Sequence, residues 1–96
     1  MRPFLFGLTL CLFASLAGAG EPVPVIFDTD IGGDIDDTWA LAYLLRSPEL
    51  DLKLLVTDFG DTVYRAKVAA RLLEVGGRTD VPIGIGIRQS NDGGPQ

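Results

Sequence analysis

Apolar side chains come in short blocks along this chain, separated by turn-forming residues. After Pro22 and Pro24 the run Val25-Ile26-Phe27 is continuously apolar, the pattern of a strand covered on both faces. An Asp/Gly segment, Asp28 to Asp37, follows it. A helix is expected from Asp36 or Asp37, where a carboxylate suits the unpaired N–H groups and the positive end of the dipole. Ala40, Leu41, Leu44 and Leu45 recur at helical spacing. Ser47-Pro48 stops that helix, because the residue before a proline is driven out of the α region.

Leu50 to Phe59 contains a second strand, centred on Leu52, Leu54, Leu55 and Val56. Gly60-Asp61-Thr62 opens a second helix, capped by Asp61 or Thr62. Val63, Ala66, Ala70, Leu72 and Leu73 are assigned to its buried face, and Arg65, Lys67, Arg71 and Glu74 to water. Gly76-Gly77 ends it. Asp80 leads through Val81-Pro82 into a third strand, Ile83 to Ile87. The order βαβαβ predicts an α/β fold, the start of an open, parallel, Rossmann-like sheet with right-handed crossovers. A parallel sheet needs cover on both faces and two helices supply little of it, so the sheet reads as truncated. The tail, residues 88–96, is polar and rich in Gly and Asn and reads as a loop or frayed end.

The N-terminus has a different character. Arg2 is followed by a largely apolar run, Phe4 to Ala17, and Ala17-Gly18-Ala19 fits the small-residue rule for cleavage. The run is shorter than the ~18–20 apolar residues of a membrane span. Residues 1–19 are therefore expected to be a cleavable signal peptide, placing the product in a periplasm or outside the cell. Residues 20–87 form the folded domain in this reading.

Composition narrows the chemistry. The 96 residues are 47% hydrophobic and 22% charged, with a net charge of −5, which describes a globular chain. One cysteine and no histidine exclude a disulfide framework and a Cys/His zinc site, and remove the commonest general acid/base. The acidic balance argues against nucleic acid and anionic membranes as partners. That acidity is local: Asp28-Thr29-Asp30-Ile31-Gly32-Gly33-Asp34-Ile35-Asp36-Asp37 holds five carboxylates in ten residues. It follows the first strand, at the end where open α/β sheets place their ligands. Carboxylates gathered within a few ångström repel one another unless protons or a cation intervene. Oxygen-only donors suit Ca²⁺ or Mg²⁺. An EF-hand alignment from Asp28 fails, because Gly32 falls at position 5 and Trp39 at position 12, where a bidentate Glu is required. A strand followed by Asp-x-Asp is also similar to the haloacid dehalogenase-like phosphatases, with Asp28 as nucleophile. A small, non-catalytic, secreted Ca²⁺-binding domain is a third reading.

A longer match is more specific. The run Val25 to Leu41, VIFDTDIGGDIDDTWAL, resembles the N-terminal signature of the inosine–uridine-preferring nucleoside hydrolases. Ser47-Pro48-Glu49, Leu54-Leu55-Val56-Thr57, Gly60-Asp61 and Val81-Pro82-Ile83 continue the order, so the resemblance covers roughly residues 23–87. It implies hydrolysis of the N-glycosidic bond of a ribonucleoside, a small-molecule substrate, with Ca²⁺ at the bottom of the ribose pocket. Carried over by position, Asp30 and Asp37 look like Ca²⁺ ligands, and Asp30 also like the base for the attacking water. Asp36 resembles the acceptor for ribose hydroxyls, and Asp28 has a supporting place. Asp61 stands where the family commonly has Asn near the ribose; its other reading is a helix cap. Such enzymes build positive charge on the ribose in the transition state, and a carboxylate-rich pocket stabilises it. Family members are several times longer, and their remaining ligands come from later positions. Residues 20–96 are thus expected to be the N-terminal part of such a protein, without appreciable glycosidase activity alone, and the whole protein to be open to homo-oligomerisation. Elsewhere, Trp39 reads as a helix-face core contact ahead of a place lining a pocket for the base, and Tyr64 as half-exposed. Gly84 and Gly86 read equally as sites of close ligand approach or of tight sheet packing.

Overall fold

A computed structural model describes residues 20–89. Residues 1–19, expected above to be a signal peptide, and residues 90–96 of the tail lie outside the described residues. Five elements follow in order: β1 (Val23–Thr29), α1 (Asp36–Leu45), β2 (Leu50–Thr57), α2 (Thr62–Val75) and β3 (Ile83–Ile85). The three strands form one parallel sheet in the order β1-β2-β3. The βαβαβ expectation and its parallel sheet are therefore realised. Two boundaries moved. β1 begins at Val23 and takes in Pro24, whose missing N–H is tolerated on a strand that is at the sheet edge among the described residues. β3 ends at Ile85, two residues short of the apolar pattern.

Strand order and right-handed crossovers put both helices on one face of the sheet. That face carries the core: Ile31, Leu41, Leu44, Leu52, Leu55, Ala69, Leu73 and Val81 pack together, with Val25, Phe27 and Ile83 against them. On the opposite face Ile26 is 66% exposed, so in these residues β1 is covered on one side only. The pairing register shifts between Val25 and Ile26, where Val25 faces Leu52 but Ile26 faces Leu54. This extra residue, Lys53, keeps both Leu52 and Leu55 pointed at the helices. Among the described residues no helix is long and apolar enough to cross a membrane.

Helix ends follow the local sequence. α1 carries Asp36 and Asp37 in its first turn and gives way before Ser47, whose hydroxyl donates to the Tyr43 carbonyl at 2.7 Å. α2 is capped by Asp61, whose carboxylate accepts the Tyr64 N–H at 3.0 Å. The assignment of faces on α2 needs correction. Thr62, Arg65, Ala66, Ala69 and Leu73 are its buried residues, whereas Val63 is 42% exposed and Ala70 is exposed too. Arg65, assigned to water, is only 6% exposed, and the reason lies at the acidic loop described below. Trp39 is also corrected: at 69% exposed it is not a core contact, because the α1 face that packs inward is that of Leu41 and Leu44.

A web of buried hydroxyls locks α2 to the sheet ends. Thr57 Oγ1 donates to the Thr62 carbonyl at 2.9 Å, and Thr62 Oγ1 donates to the Gly86 carbonyl at 2.8 Å. The Gly86 N–H returns to the Thr57 carbonyl at 2.9 Å. A Cβ on Gly86 would collide with that same carbonyl oxygen, so tight packing accounts for this glycine. Gly86→Ala is expected to destabilise the protein by about 1–3 kcal/mol, because backbone on both sides of the contact must shift. Urea unfolding of the variant beside the parent checks it, and an unchanged midpoint would refute the role given to this contact.

Candidate functional site

β1 and β2 are parallel, so both deliver their C-terminal loops to the same end of the sheet. The Asp58 N–H donates to the Thr29 carbonyl at 3.0 Å and ties those two strand ends together. Four carboxylates gather there. Asp30 and Asp37 hydrogen-bond to each other, and so do Asp28 and Asp58. Asp34 and Asp36 remain exposed, Asp36 in the first turn of α1. Of the residues expected to form the site, the fold brings Asp28, Asp30 and Asp37 together. It adds Asp58, which the sequence reading passed over as the end of a strand.

Asp37 is the anchored member. Its Oδ2 accepts the Thr29 hydroxyl at 2.5 Å and the Asp30 backbone N–H at 3.1 Å. Thr29 is buried and its hydroxyl oxygen in turn accepts the Ile31 N–H at 3.0 Å, which fixes the direction of the hydroxyl proton. The Thr29 hydroxyl bond lowers the Asp37 pKa most, and the two bonds from Asp30 add to it against a burial cost. Asp30 moves the other way. Its hydrogen bond to Asp37, then burial, then the Asp37 charge raise its pKa above the ordinary carboxylate value. The two neighbouring carboxyls are thus pushed in opposite directions, the kind of asymmetry that separates acid/base roles in carboxylate pairs.

Asp58 is pushed up to about 6, mainly by its hydrogen bond to Asp28, then by burial and by the charges of Asp28, Asp30 and Asp37. The Asp61 carboxylate is engaged as the α2 cap through one oxygen, while the other lies 3.4 Å from an Arg88 Nη2. The cap reading thus accounts for Asp61 in this structure, and the fold does not join it to the four-carboxylate group by any hydrogen bond among the described residues.

Arg65 was not anticipated as part of this region. Its Nε donates to the Phe59 carbonyl at 2.7 Å, and its Nη1 donates to the carbonyls of Asp30 and of Ile31, the latter at 3.2 Å. The guanidinium charge lowers the pKa of both Asp30 and Asp37. Phe59 itself has φ 62°, a left-handed conformation that costs a β-carbon residue free energy. Gly32, at φ 100°, lets the acidic loop turn beneath the ring of Tyr64, where a Cβ would stand 3.1 Å from Cε1.

The donor chemistry at Asp30 and Asp37 is that of a hard cation site, two carboxylates converging with no nitrogen or sulfur in reach. It is a partial set. Among the described residues no group of three or more His, Cys, Asp or Glu side chains is arranged to hold an ion. Ca²⁺ takes about 6–8 oxygens, so most of a shell would come from water, substrate or other protein groups.

The profile of the family described as inosine-uridine preferring nucleoside hydrolase matches residues 25–94. The chain is 42% identical over 73 residues to the probable uridine nucleosidase 2 of Arabidopsis thaliana, covering 74% of this chain and 22% of that protein. It is 40% identical over 68 residues to the pyrimidine-specific ribonucleoside hydrolase RihA of Photobacterium profundum, covering 69% and 21%. Among solved structures it is similar to a plant nucleoside hydrolase, the PpNRh1 enzyme, with a TM-score of 0.64 at 44% identity over 72% of this chain and 22% of that one. The chain thus spans about a fifth of the length of these relatives. These likenesses do not favour the phosphatase reading of Asp28, which is in any case tied up with Asp58.

The Asp28–Asp58 pair generates a pH prediction. The folded pKa of Asp58 is about 6 against an ordinary 3.8, so the fold favours the protonated form. Its contribution is full below the ordinary value and is lost as pH rises through about 6. Asp58→Asn is expected to raise the urea midpoint at about pH 7, with a chelator present, and to leave it nearly unchanged at about pH 3. Equal effects at both pH values would show that the pair does not share a proton.

Proposed function

Since the chain belongs to the inosine–uridine-preferring nucleoside hydrolase family, we propose that the protein containing it hydrolyses the N-glycosidic bond of ribonucleosides, pyrimidine ribosides among them. The observation that carries this reading is the Asp30–Asp37 pair at the C-terminal end of β1, with one carboxylate pinned by Thr29 and the other inclined to accept a proton.

In the proposed reaction the C1′–N bond breaks and its electron pair leaves with the base. A water oxygen bonds to C1′, and the products are ribose and free base. Asp30 takes the proton from that water, and the departing ring nitrogen takes up a proton in turn, which completes the free base. Asp37 stays ionised beside it, and its charge favours the positive charge that develops on the ribose. Asp36, exposed in the first turn of α1, accepts hydrogen bonds from ribose hydroxyls in this reading. Asp28 supports the site through Asp58. The cation in this reading is Ca²⁺, held by Asp30 and Asp37 together with oxygens from outside the described residues. Such an ion, when bound, orients water and sugar hydroxyls and lowers the pKa of bound water. The proposal includes export: residues 1–19 act as a cleavable leader, which places the enzyme in a periplasm or outside the cell.

The test is release of ribose from uridine and inosine by the purified whole protein. Asp30→Asn is expected to lower kcat on the order of 10²–10⁴-fold, the usual contribution of a positioned base. Chelation should abolish turnover and added Ca²⁺ restore it. Residues 20–96 expressed alone are expected to release no measurable ribose. A folded whole protein that cleaves no nucleoside, or an Asp30→Asn variant as active as the parent, would overturn the reading.

A further inference from the structure

One group in the region has no place in the reaction just proposed, and it is the least expected side chain in the fold. Arg65 projects from the first turns of α2, is 6% exposed, and spends its guanidinium on main-chain oxygens rather than on a carboxylate. Burying an arginine is costly unless its donors are met. Here Nε is met by Phe59 and Nη1 by Asp30 and Ile31. Two of these carbonyls belong to the loop after β1, and one of the two is the carbonyl of Asp30 itself. The third belongs to the loop after β2, at the residue held with φ 62°. A left-handed non-glycine residue persists only where its surroundings over-determine it, and the Nε–Phe59 bond is one of the contacts that does so.

We propose that Arg65 is a positioning residue for the Asp30–Asp37 pair: by gripping the backbone of Asp30, Ile31 and Phe59 at once, it fixes where the Asp30 carboxyl points relative to Asp37. The inference rests on the hydrolase reading above. The geometry explains why arginine is needed. Asp30 N–H donates to Asp37, so the peptide planes on both sides of Asp30 are pinned, one by Asp37 and one by Arg65. The Ile31 N–H edge of that second plane stays on Thr29 Oγ1, so loss of Arg65 removes the grip on its carbonyl edge and loosens the Asp30 backbone without releasing it. The side chain then swings while the Thr29–Asp37 bond stays in place. A lysine carries the same charge but presents a point ammonium on a shorter reach, and it cannot meet three carbonyls from one planar fork. The damage in Arg65→Lys is therefore one of direction rather than of charge.

The experiment compares the parent with Arg65→Lys, Arg65→Gln and Asp30→Asn in the whole protein, with uridine as substrate and rates normalised to the folded fraction by circular dichroism. With the parent active and Asp30→Asn inactive, both Arg65 variants are expected to lose on the order of 10²-fold in kcat, the penalty of a misplaced reacting group. KM should change less than about threefold, since the contacts that bind substrate are left intact. The lysine variant should rescue little of the loss. A lowered melting temperature with parental kcat per folded molecule in Arg65→Lys would overturn the proposal and leave Arg65 a purely structural staple. Equal losses in kcat/KM carried by KM alone would overturn it as well. If the parent releases no ribose, or Asp30→Asn turns over like the parent, it is the hydrolase reading that fails, and the positioning role falls with it.

Discussion

Four aspartates at one end of a three-stranded sheet repel one another, and most of the local structure answers that repulsion. Asp28 stands beside Asp58 and Asp30 beside Asp37, and in each pair the neighbour raises the pKa of one member. The remaining charge is met by neutral donors and by one cation. Thr29 and the Asp30 N–H hold Asp37, and Arg65 lies close enough to lower the pKa of Asp30 and Asp37 alike. The arginine does so without forming an ion pair to either, which leaves the carboxylate oxygens free for a ligand. A salt bridge to Asp30 would neutralise the pair more cheaply and would remove its chemistry.

The scaffold beneath these groups is built from small, stiff residues. Thr29, Thr57 and Thr62 are all essentially buried, and each hydroxyl has a partner that belongs to a different element or loop. β-Branched threonine has few rotamers, so a buried Thr hydroxyl serves as a fixed donor rather than a searching one. Thr29 joins β1 to α1 through Asp37, Thr57 joins β2 to α2, and Thr62 joins α2 to the chain beyond β3. The strand ends and helix starts that carry the carboxylates are thus cross-linked by hydroxyls, while the leucine core lies further along the same face.

How legible this was in the sequence varied by residue, for physical reasons. The strands and helices could be read because hydrophobic period and turn residues agree, as at Ser47-Pro48 and Gly60-Asp61. Asp30 and Asp37 were set together by the family resemblance alone, since local periodicity says only that both lie in an acidic loop between a strand and a helix. Arg65 was misplaced because helical periodicity sorts side chains by polarity, and an arginine between Tyr64 and Ala66 falls by default on the wet side. Nothing local announces that three carbonyls from two distant loops converge on it. Asp58 was missed for a similar reason: its meaning comes from strand pairing, which sets Asp28 beside Val56 and so brings the next residues of β2 alongside the acidic loop. Trp39 failed differently. Its apolar bulk suggested burial, but the inward face of α1 is narrow and is filled by Leu41 and Leu44.

The same contrast separates two kinds of residue around the site. Asp28, Asp30, Asp36 and Asp37 are exposed or nearly so, and their arrangement is maintained against electrostatic cost rather than by packing. Their aim is therefore only as good as the groups behind them. Those groups, Thr29 and Arg65, are buried, hydrogen-bonded to the loop backbone or to Asp37, and chemically silent in the proposed reaction. Surface carboxylates on a mobile loop would relax apart until their repulsion faded. Held by a buried hydroxyl on one side and a buried guanidinium on the other, they are kept side by side, with the pKa of Asp37 pushed down and that of Asp30 pushed up. In this fold, the reactivity of an exposed aspartate is set by the burial of the residues that grip its backbone.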